Sequence, residues 1–336
     1  MNFLKQQWLI LCSIVGIVVM LLCAAFFSYV ENPVDSEERV LEIEIARGAS
    51  FSSVVGLLED AGLIRQKKYF LLLANVKGAE KQIRAGEYEL NSSMSPGEII
   101  DTLMEGRVKG HRVSIPEGFT LRQIAARLAA KGIVDEKRFR DLSRDRELLG
   151  SLKIKGGSAE GYLFPDTYVF SRSMDESQVI KFMVDHFWRR ITTKMKGRAE
   201  ELGFTLDEIV TLASIVEKEG GKSDEKPIVA AVFHNRLKRR MRLQSDPTVI
   251  YDIEDFDGNL KKRHLEEKTP YNTYQIRGLP PGPICNPGMD AILATLYPAP
   301  VNYLYFVSKN NGSHHFSSNL KSHNEAVITY QIKRRK

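Results

Sequence analysis

The chain has 336 residues, of which 43% are hydrophobic and 27% are charged. This composition is that of a globular protein and excludes a disordered or collagen-like chain, and the length corresponds to about two domains. The 48 basic and 42 acidic side chains leave a formal net charge of +6, which is too small to indicate a nucleic-acid-binding protein.

The first predicted element is an apolar helix. From Trp8 to Val30 the chain has 23 residues without a charge, slightly more than the ~20 that span a bilayer. A cleaved signal peptide is the alternative, but its apolar region is typically ~7–15 residues long, and no convincing cleavage site follows this stretch. We therefore predict a tail at 1–7, an uncleaved anchor at 8–30 and a linker at 31–40.

The charges beside this segment bear on its orientation. Lys5 precedes the segment, whereas Arg39 and Arg47 follow it within about 20 residues. Short amino-terminal tails usually stay in the cytoplasm, and acidic residues follow the segment directly. We predict a cytoplasmic amino terminus and place residues 31–336 outside the cytoplasm.

Cysteine and histidine usage predicts neither a disulfide nor a metal. Cys12 and Cys23 lie inside the apolar segment, which leaves Cys285 as the only thiol of the remaining chain. The seven histidines lack the HExxH spacing of a zinc enzyme. We therefore expect no metal and no cofactor.

A repeat follows the anchor. Residues 41–70 align without gaps over residues 111–140. Each copy predicts a strand, a glycine turn, a Ser or Thr cap, an amphipathic helix ended by glycine and a second short helix, and 83–90 predicts another strand. These patterns indicate α+β units at 41–110 and 111–154.

Small β-α-α-β units of this kind resemble the LysM type of glycan-binding module. The resemblance would make both units readers of peptidoglycan. The alternative is a pair of spacer domains that only pack against the rest of the chain. Neither copy carries a chemical signature that decides between these two interpretations, so both stay open.

Four motif-rich segments lie after residue 155. Seven of the 13 prolines fall between residues 270 and 300, which indicates a stiff, irregular segment suited to the wall of a binding groove. The four segments are EGYLFPDTYVF (160–170), LDEIVTLASIVEKEGG (206–221), AAVFHNRLKRRMRLQSDPTVIYDI (230–253) and TPYNTYQIRGLPPGPICNPG (269–288).

Two glutamates end the helix predicted in the second segment. Glu217 and Glu219 each continue an apolar stripe of that helix. Burial of a carboxyl group raises its pKa, as a general acid near neutral pH requires. Helical periodicity does not choose between the two glutamates, and an ion pair with Lys218, Lys222 or Arg236 at a solvated helix end is the alternative for both.

From about residue 155 to 330 the sequence resembles the endolytic murein transglycosylases, the MltG or YceG-like family of membrane-anchored bacterial enzymes. The motifs that carry the resemblance are EGYLFPDTY, ASIVEKE, VFHNRL, MRLQSDPTVIY, YNTY, GLPPGPICNPG and YLYFVSKNNGSHHFSSNLKSHN, in the order of the family. The anchor and the LysM-like units fit as well. The resemblance implies an α+β fold with a mixed α+β catalytic domain at 155–332.

The resemblance also implies roles for single residues. The first glutamate of ASIVEKE, Glu217, falls on the catalytic position of the family. His234 stands where the family commonly has an aromatic or aliphatic residue. Residues that would line or support the substrate cleft are Glu160, Tyr162, Asp166, Glu219, Asn235, Arg236, Gln244, Asp246, Thr248, Tyr271, Asn272 and Tyr274.

The implied activity is cleavage of the MurNAc–GlcNAc β-1,4 bond of nascent glycan strands, with a 1,6-anhydro-MurNAc end, as a terminase of strand elongation. The implied partners are glycan strands and peptidoglycan synthases, at the periplasmic side of the bacterial inner membrane. A hydrolytic muramidase and a non-enzymatic glycan-binding scaffold are the alternatives. Basic patches at 238–242 and 333–336 come with no nucleic-acid-binding motif, and the predicted compartment argues against nucleic acid.

Overall fold

A computed structural model of the protein describes residues 2–332. The contacts between residues divide the chain into two compact units. The first comprises the residues up to His111 together with Ser171–Ser173, and the second comprises Arg112–Phe170 and the chain from Met174 onward. Both units combine helices with small two-stranded sheets, which confirms the predicted α+β class.

The first unit contains an antiparallel pair of strands and four helices. Ile43 of the first strand lies opposite Tyr88 of the second strand. The elements in chain order are α1 (Asn2–Glu31), β1 (Val40–Ile45), α2 (Phe51–Asp60), α3 (Lys67–Lys77), a 3-10 turn (Ala79–Lys81), β2 (Gly86–Asn91) and α4 (Pro96–Glu105).

The local sequence explains why these elements begin and end where they do. The Ser50 hydroxyl accepts a hydrogen bond from the Ser53 N–H at the start of α2, and Ser95 forms a reciprocal capping box with Glu98 at the start of α4. α3 ends at Gly78, which has a left-handed φ of 66°. The strand–helix–helix–strand order predicted for the first copy is therefore present.

The amino-terminal helix α1 is apolar over almost its whole length. Its segment Gln6–Glu31 contains an 18-residue window with a mean hydropathy of 3.0 and is long enough to cross a membrane. At its end, Phe26 and Tyr29 contact the ring of Tyr69 on α3. The helix fits a single-pass membrane anchor whose last turns belong to the first unit.

The second unit contains most of the helices. Their bounds are α5 (Leu121–Ala129), α6 (Glu136–Leu142), α7 (Arg146–Ser151), α8 (Glu176–Arg190), α9 (Thr193–Glu201), α10 (Leu206–Glu219), α11 (Lys226–Lys238), α12 (Asp246–Tyr251), α13 (Lys262–Glu266), α14 (Met289–Leu296) and α15 (Leu320–Val327), with a 3-10 turn at Ser223–Glu225 and a π-helical turn at Ile328–Ile332. The strands are β3 (His111–Ser114), β4 (Thr167–Phe170), β5 (Tyr305–Ser308) and β6 (His314–Ser317); β3 pairs with β4, and β5 pairs antiparallel with β6.

The central element of the second unit is α10. Thr205 caps its start through a capping box with Glu208, and every residue from Ile209 to Val216 is buried. A helix buried on all faces lies inside a core rather than on its surface. Because α10 ends at Glu219, both candidate glutamates lie in its last turn, directly after the fully buried stretch.

The second copy of the repeat lies in the same core as the segments that follow it. Val113, Leu128 and Phe139 belong to one hydrophobic cluster with Val210 of α10. β3 pairs with β4, which lies at 167–170 within the EGYLFPDTYVF segment. Residues 111–154, expected as a separate unit, therefore depend on a closing strand beyond their expected boundary.

Substitution of Gly161, compared with substitution of Gly157, tests the packing of this shared core. Gly161 has a φ of 87°, and a Cβ there would lie 2.5 Å from Pro283 Cγ and 2.9 Å from Val210 Cγ1. We expect Gly161→Ala to lower the free energy of unfolding by about 2 kcal/mol or more, because both the backbone and the packing are strained. Denaturant unfolding measures this change.

Gly157→Ala is the matched control, since no atom lies within 4 Å of the added Cβ. Its free energy of unfolding should stay within about 1 kcal/mol of the wild-type value. Equal effects of the two substitutions would contradict the packing described for Gly161.

Candidate functional site

The ends of three helices of the second unit meet at Glu217. The Glu217 side chain is 9% exposed, and its carboxylate oxygens accept hydrogen bonds from Lys226 Nζ at 3.0 and 3.1 Å. The Gly288 N–H donates to Glu217 Oε2 at 3.0 Å. Glu217 lies near the end of α10, Lys226 is the first residue of α11, and Gly288 is the cap residue before α14.

This arrangement provides positive electrostatic potential around one carboxylate. The N–H groups of the first helical turn lack partners inside their helix and carry partial positive charge. The amino-terminal ends of α11 and α14 both lie beside the Glu217 side chain, and the cap residue of α14, Gly288, donates one such N–H to its carboxylate. The site can therefore stabilise negative charge on Glu217 while leaving part of its surface open.

A second carboxylate lies beside Glu217. Glu117 Oε2 lies 3.7 Å from Lys226 Nζ, and the Glu117 side chain is 51% exposed. Burial, and then the negative charge of Glu217, raise the pKa of the Glu117 carboxyl group, whereas Lys226 opposes the rise. The carboxylate occupies the space next to Gly288, so that a Cβ at Gly288 would collide with it.

Sequence reasoning missed Glu117 and Lys226. Glu117 belongs to the second repeat copy, 100 residues before Glu217 in the chain, and no spacing rule connects these positions. The one local signal is Gly118, whose left-handed φ of 74° lets the backbone pass over the Glu217 side chain. A Cβ at Gly118 would lie 3.6 Å from Glu217 Cγ.

Glu219 lies in a different environment. Burial raises the pKa of Glu219 to about 7, with Asp246 adding to the rise and Arg236 opposing it. The Tyr274 hydroxyl donates to Asp246 Oδ1 at 2.6 Å. The structure thus brings four of the predicted cleft residues together, namely Glu219, Arg236, Asp246 and Tyr274.

Among the remaining predicted residues of the third and fourth segments, two asparagines bind backbone carbonyls through their side chains. Asn235 Nδ2 donates to the carbonyls of Val301 and Tyr303, and Asn272 Nδ2 donates to three carbonyls between residues 264 and 267. Thr248 bonds the Thr273 hydroxyl at 2.8 Å, Gln244 has a left-handed φ of 49°, and the Tyr271 ring lies 4.9 Å from that of Tyr251. The His234 ring packs edge-on against Phe204 at 5.3 Å and contacts the Thr295 carbonyl.

A buried carboxyl group connects the loops behind the site. Glu160 accepts hydrogen bonds from the Leu121 N–H at 2.9 Å, from Asn286 Nδ2 at 2.7 Å and from the Tyr251 hydroxyl at 3.2 Å. The Asn286 backbone also pairs with the carbonyl of Phe119 and the N–H of Gly118. Burial raises the pKa of Glu160 to about 7.

Tyr162 and Asp166 are not brought to Glu217. The buried Tyr162 hydroxyl donates to Asp207 at the start of α10, about 15 Å along the helix from Glu217 at 1.5 Å per residue. Asp166 pairs with His186 at 2.8 Å and with Arg190 at 3.1 Å. An open pocket of about 450 Å³ also lies at this far end of α10, beside Trp188, Lys196 and Asp207.

Glu160 generates a pH-dependent stability. Its pKa in the folded chain, about 7, exceeds its ordinary value of 4.5, so the folded chain binds this proton more tightly than the unfolded chain. The stability from this site is present below pH 4.5 and is lost as the pH rises to about 7. Relative to Glu160→Gln, we expect the free energy of unfolding of the wild type to fall by about 3 kcal/mol at most over this window.

Denaturant unfolding at several pH values measures this difference. Glu147→Gln on α7 is the control for the loss of one exposed carboxyl group. A difference between wild type and Glu160→Gln that is constant from pH 4.5 to 7 would contradict the described environment of Glu160.

An α+β unit with a nearly buried carboxylate at the end of its central helix suits acid–base chemistry. The model of the YceG-like family matches residues 43–329. The chain belongs to the YceG-like family, which confirms the family expected from the motifs. Within residues 2–332, no group of three or more His, Cys, Asp and Glu side chains is arranged to hold a metal ion.

Relatives and a solved structure cover most of the chain. An endolytic murein transglycosylase of Bacillus subtilis (strain 168) is 33% identical, over 89% of this chain and 87% of the relative. An endolytic murein transglycosylase of Streptococcus pneumoniae serotype 2 is 30% identical over 89% of this chain, which spans 60% of that relative. A crystal structure of a YceG-like protein from Listeria monocytogenes is 32% identical and matches 86% of this chain and all of the other, with a TM-score of 0.60.

Proposed function

We propose that the protein is an endolytic peptidoglycan transglycosylase in which Glu217 is the acid and base. The chain is an enzyme of the lyase class, because its curated relatives at 30–33% identity are named endolytic murein transglycosylases. The observation that supports the assignment to Glu217 is its 9% exposed carboxylate between Lys226 and the Gly288 N–H.

The proposed reaction breaks the MurNAc–GlcNAc β-1,4 bond without water. Protonated Glu217 donates its proton to the glycosidic oxygen while positive charge develops at the anomeric carbon of MurNAc. The C6 hydroxyl of the same sugar then attacks that carbon, and the Glu217 carboxylate takes the hydroxyl proton. The products are a 1,6-anhydro-MurNAc end and a new GlcNAc hydroxyl.

One carboxylate serves as acid and then as base in this reaction. The attack is intramolecular, so that positioning of the sugar supplies much of the rate. The carboxylate formed in the first step keeps the hydrogen bond from the Gly288 N–H, which is fixed at the start of α14 before the reaction begins. A second nucleophilic carboxylate is therefore not required.

The anchor helix supports a location at the membrane. We propose that α1 spans the bacterial inner membrane once, with the units that follow on the periplasmic side, because peptidoglycan lies outside the cytoplasm and α1 fits a single-pass anchor. The site would then act on nascent strands beside the synthases, as a terminase of elongation. A reporter fused after Lys336 that is active only in the cytoplasm would contradict this orientation.

The main test replaces the proposed catalytic carboxyl group. Glu217→Gln keeps the shape of the side chain and removes its proton transfer, so we expect loss of anhydro products by at least about 100-fold. The measurement is mass spectrometry of uncrosslinked glycan strands after incubation with the full-length protein.

Glu200→Gln on α9 is the control, since Glu200 is an exposed glutamate outside the site and should leave turnover unchanged. Turnover by a folded Glu217→Gln protein would refute the assignment. Products heavier by one water would indicate a hydrolytic muramidase instead, and no new chain ends from the wild type would indicate a non-enzymatic scaffold.

A glycan-binding role of the first unit is a separate proposal. The first unit has a hydrophobic core of its own, which includes Ile45, Leu58 and Tyr88, and its β1-α2-α3-β2 order is the one that resembles LysM modules. We expect residues 36–111 to be retained on purified peptidoglycan in a pull-down. Absence of retention would leave this unit as a spacer.

A further inference from the structure

We propose that Lys226 and Glu117 are positioning residues that act through Glu217, with the Lys226 ammonium group shared between the two carboxyl groups during the reaction. This inference rests on the proposed role of Glu217. It goes beyond that role, because it states which side chains let one carboxyl group gain and lose a proton in successive steps.

The geometry shows a cation held between two carboxylates of unequal exposure. Lys226 Nζ contacts both oxygens of Glu217 at 3.0 and 3.1 Å and lies 3.7 Å from Glu117. Lys226 is 8% exposed, so its ammonium group needs a negative partner within the protein at every stage. Glu217 alone cannot be that partner while it carries the proton that it donates.

Glu117 solves this difficulty by charge balance. When Glu217 is protonated, the Lys226 ammonium group pairs with the Glu117 carboxylate. When Glu217 has given its proton to the glycosidic oxygen, Lys226 pairs with the new carboxylate of Glu217, as it does in the structure. The proton then taken from the C6 hydroxyl restores the first state, so the buried ammonium group has a carboxylate partner in both states, and the half-exposed Glu117 carboxylate faces solvent when Lys226 pairs with Glu217.

Three other titratable groups lie around these side chains. On α10 itself, Lys218 Nζ lies 3.4 Å from the Gly118 carbonyl. From α14, Asp290 adds negative potential at Glu117, while its own carboxylate accepts from the Ser223 hydroxyl at 3.1 Å. Burial raises the pKa of the Cys285 thiol well above its usual range, which keeps this neighbour neutral.

The pH dependence of turnover separates this role from a merely structural one. An enzyme that needs a protonated general acid loses rate on the alkaline side of its pH profile. Lys226→Met removes a positive charge and should move this alkaline limb up by about one pH unit, whereas Glu117→Gln removes a negative charge and should move it down by about one unit. Opposite shifts are not expected from a loss of packing.

The rates give a second measurement. Lys226→Met should lower kcat at least about tenfold, because the carboxylate formed in the first step loses its cation. Lys226→Arg should restore both the limb and most of kcat, since it keeps the charge. Lys194→Met, at an exposed position on α9, is the control for the loss of one positive charge and should keep the wild-type profile.

The measurements use the full-length protein in detergent on uncrosslinked glycan strands, with Glu217→Gln in parallel. Turnover by Glu217→Gln would overturn the proposed function itself. An inactive Glu217→Gln together with wild-type alkaline limbs in Lys226→Met and Glu117→Gln would overturn only this inference. If Lys226→Met does not fold, Glu117→Gln decides, because the half-exposed Glu117 tolerates substitution, and an unshifted or upward-shifted limb in that variant overturns the proposal.

Discussion

The candidate site depends on how the proline-rich segment is held against α10. The Ser214 hydroxyl of α10 accepts a hydrogen bond from the Ile284 N–H at 3.0 Å, and the Ser214 carbonyl accepts from the Cys285 thiol at 3.3 Å. Ser214 lies one turn before Glu217 on the same helix. These two hydrogen bonds fix the position of the proline-rich segment along α10, so that the Gly288 N–H lies within hydrogen-bond distance of the Glu217 carboxylate. Because α10 is buried on every face, donor and acceptor are positioned before substrate arrives.

The helix geometry explains why two glutamates only two residues apart differ. Successive residues of an α-helix are rotated by about 100°, so Glu217 and Glu219 point in widely different directions. Glu217 lies at the amino-terminal ends of α11 and α14, where the Lys226 ammonium group and the Gly288 N–H donate hydrogen bonds to its carboxylate. Glu219 lies near Asp246, which accepts a hydrogen bond from Tyr274, and burial favours the protonated form of the Glu219 carboxyl group. The same residue type thus has opposite electrostatic surroundings at one helix end.

The local elements were predicted well because their signals are local. The predicted caps at Ser50 and Thr120 lie within one turn of the helix starts that they specify. The EGYLFPDTYVF segment shows the limit of such signals. The family resemblance assigned Tyr162 to the substrate cleft, yet Tyr162, Phe164, Tyr168 and Phe170 are buried in the core, because the segment supplies β4, which closes the second repeat copy.

The sequence by itself determined the long apolar amino-terminal helix, the repeated strand–helix pattern, the helix that ends in two glutamates and the family to which the chain belongs. Only the tertiary structure decided which side chains surround each glutamate. Periodicity reports that one face of an element is covered, but not which distant segment covers it. Glu117 and Gly288 flank Glu217 from opposite directions along the chain, and they meet it because Asn286 pairs with the Gly118–Phe119 backbone and Ser214 holds Ile284.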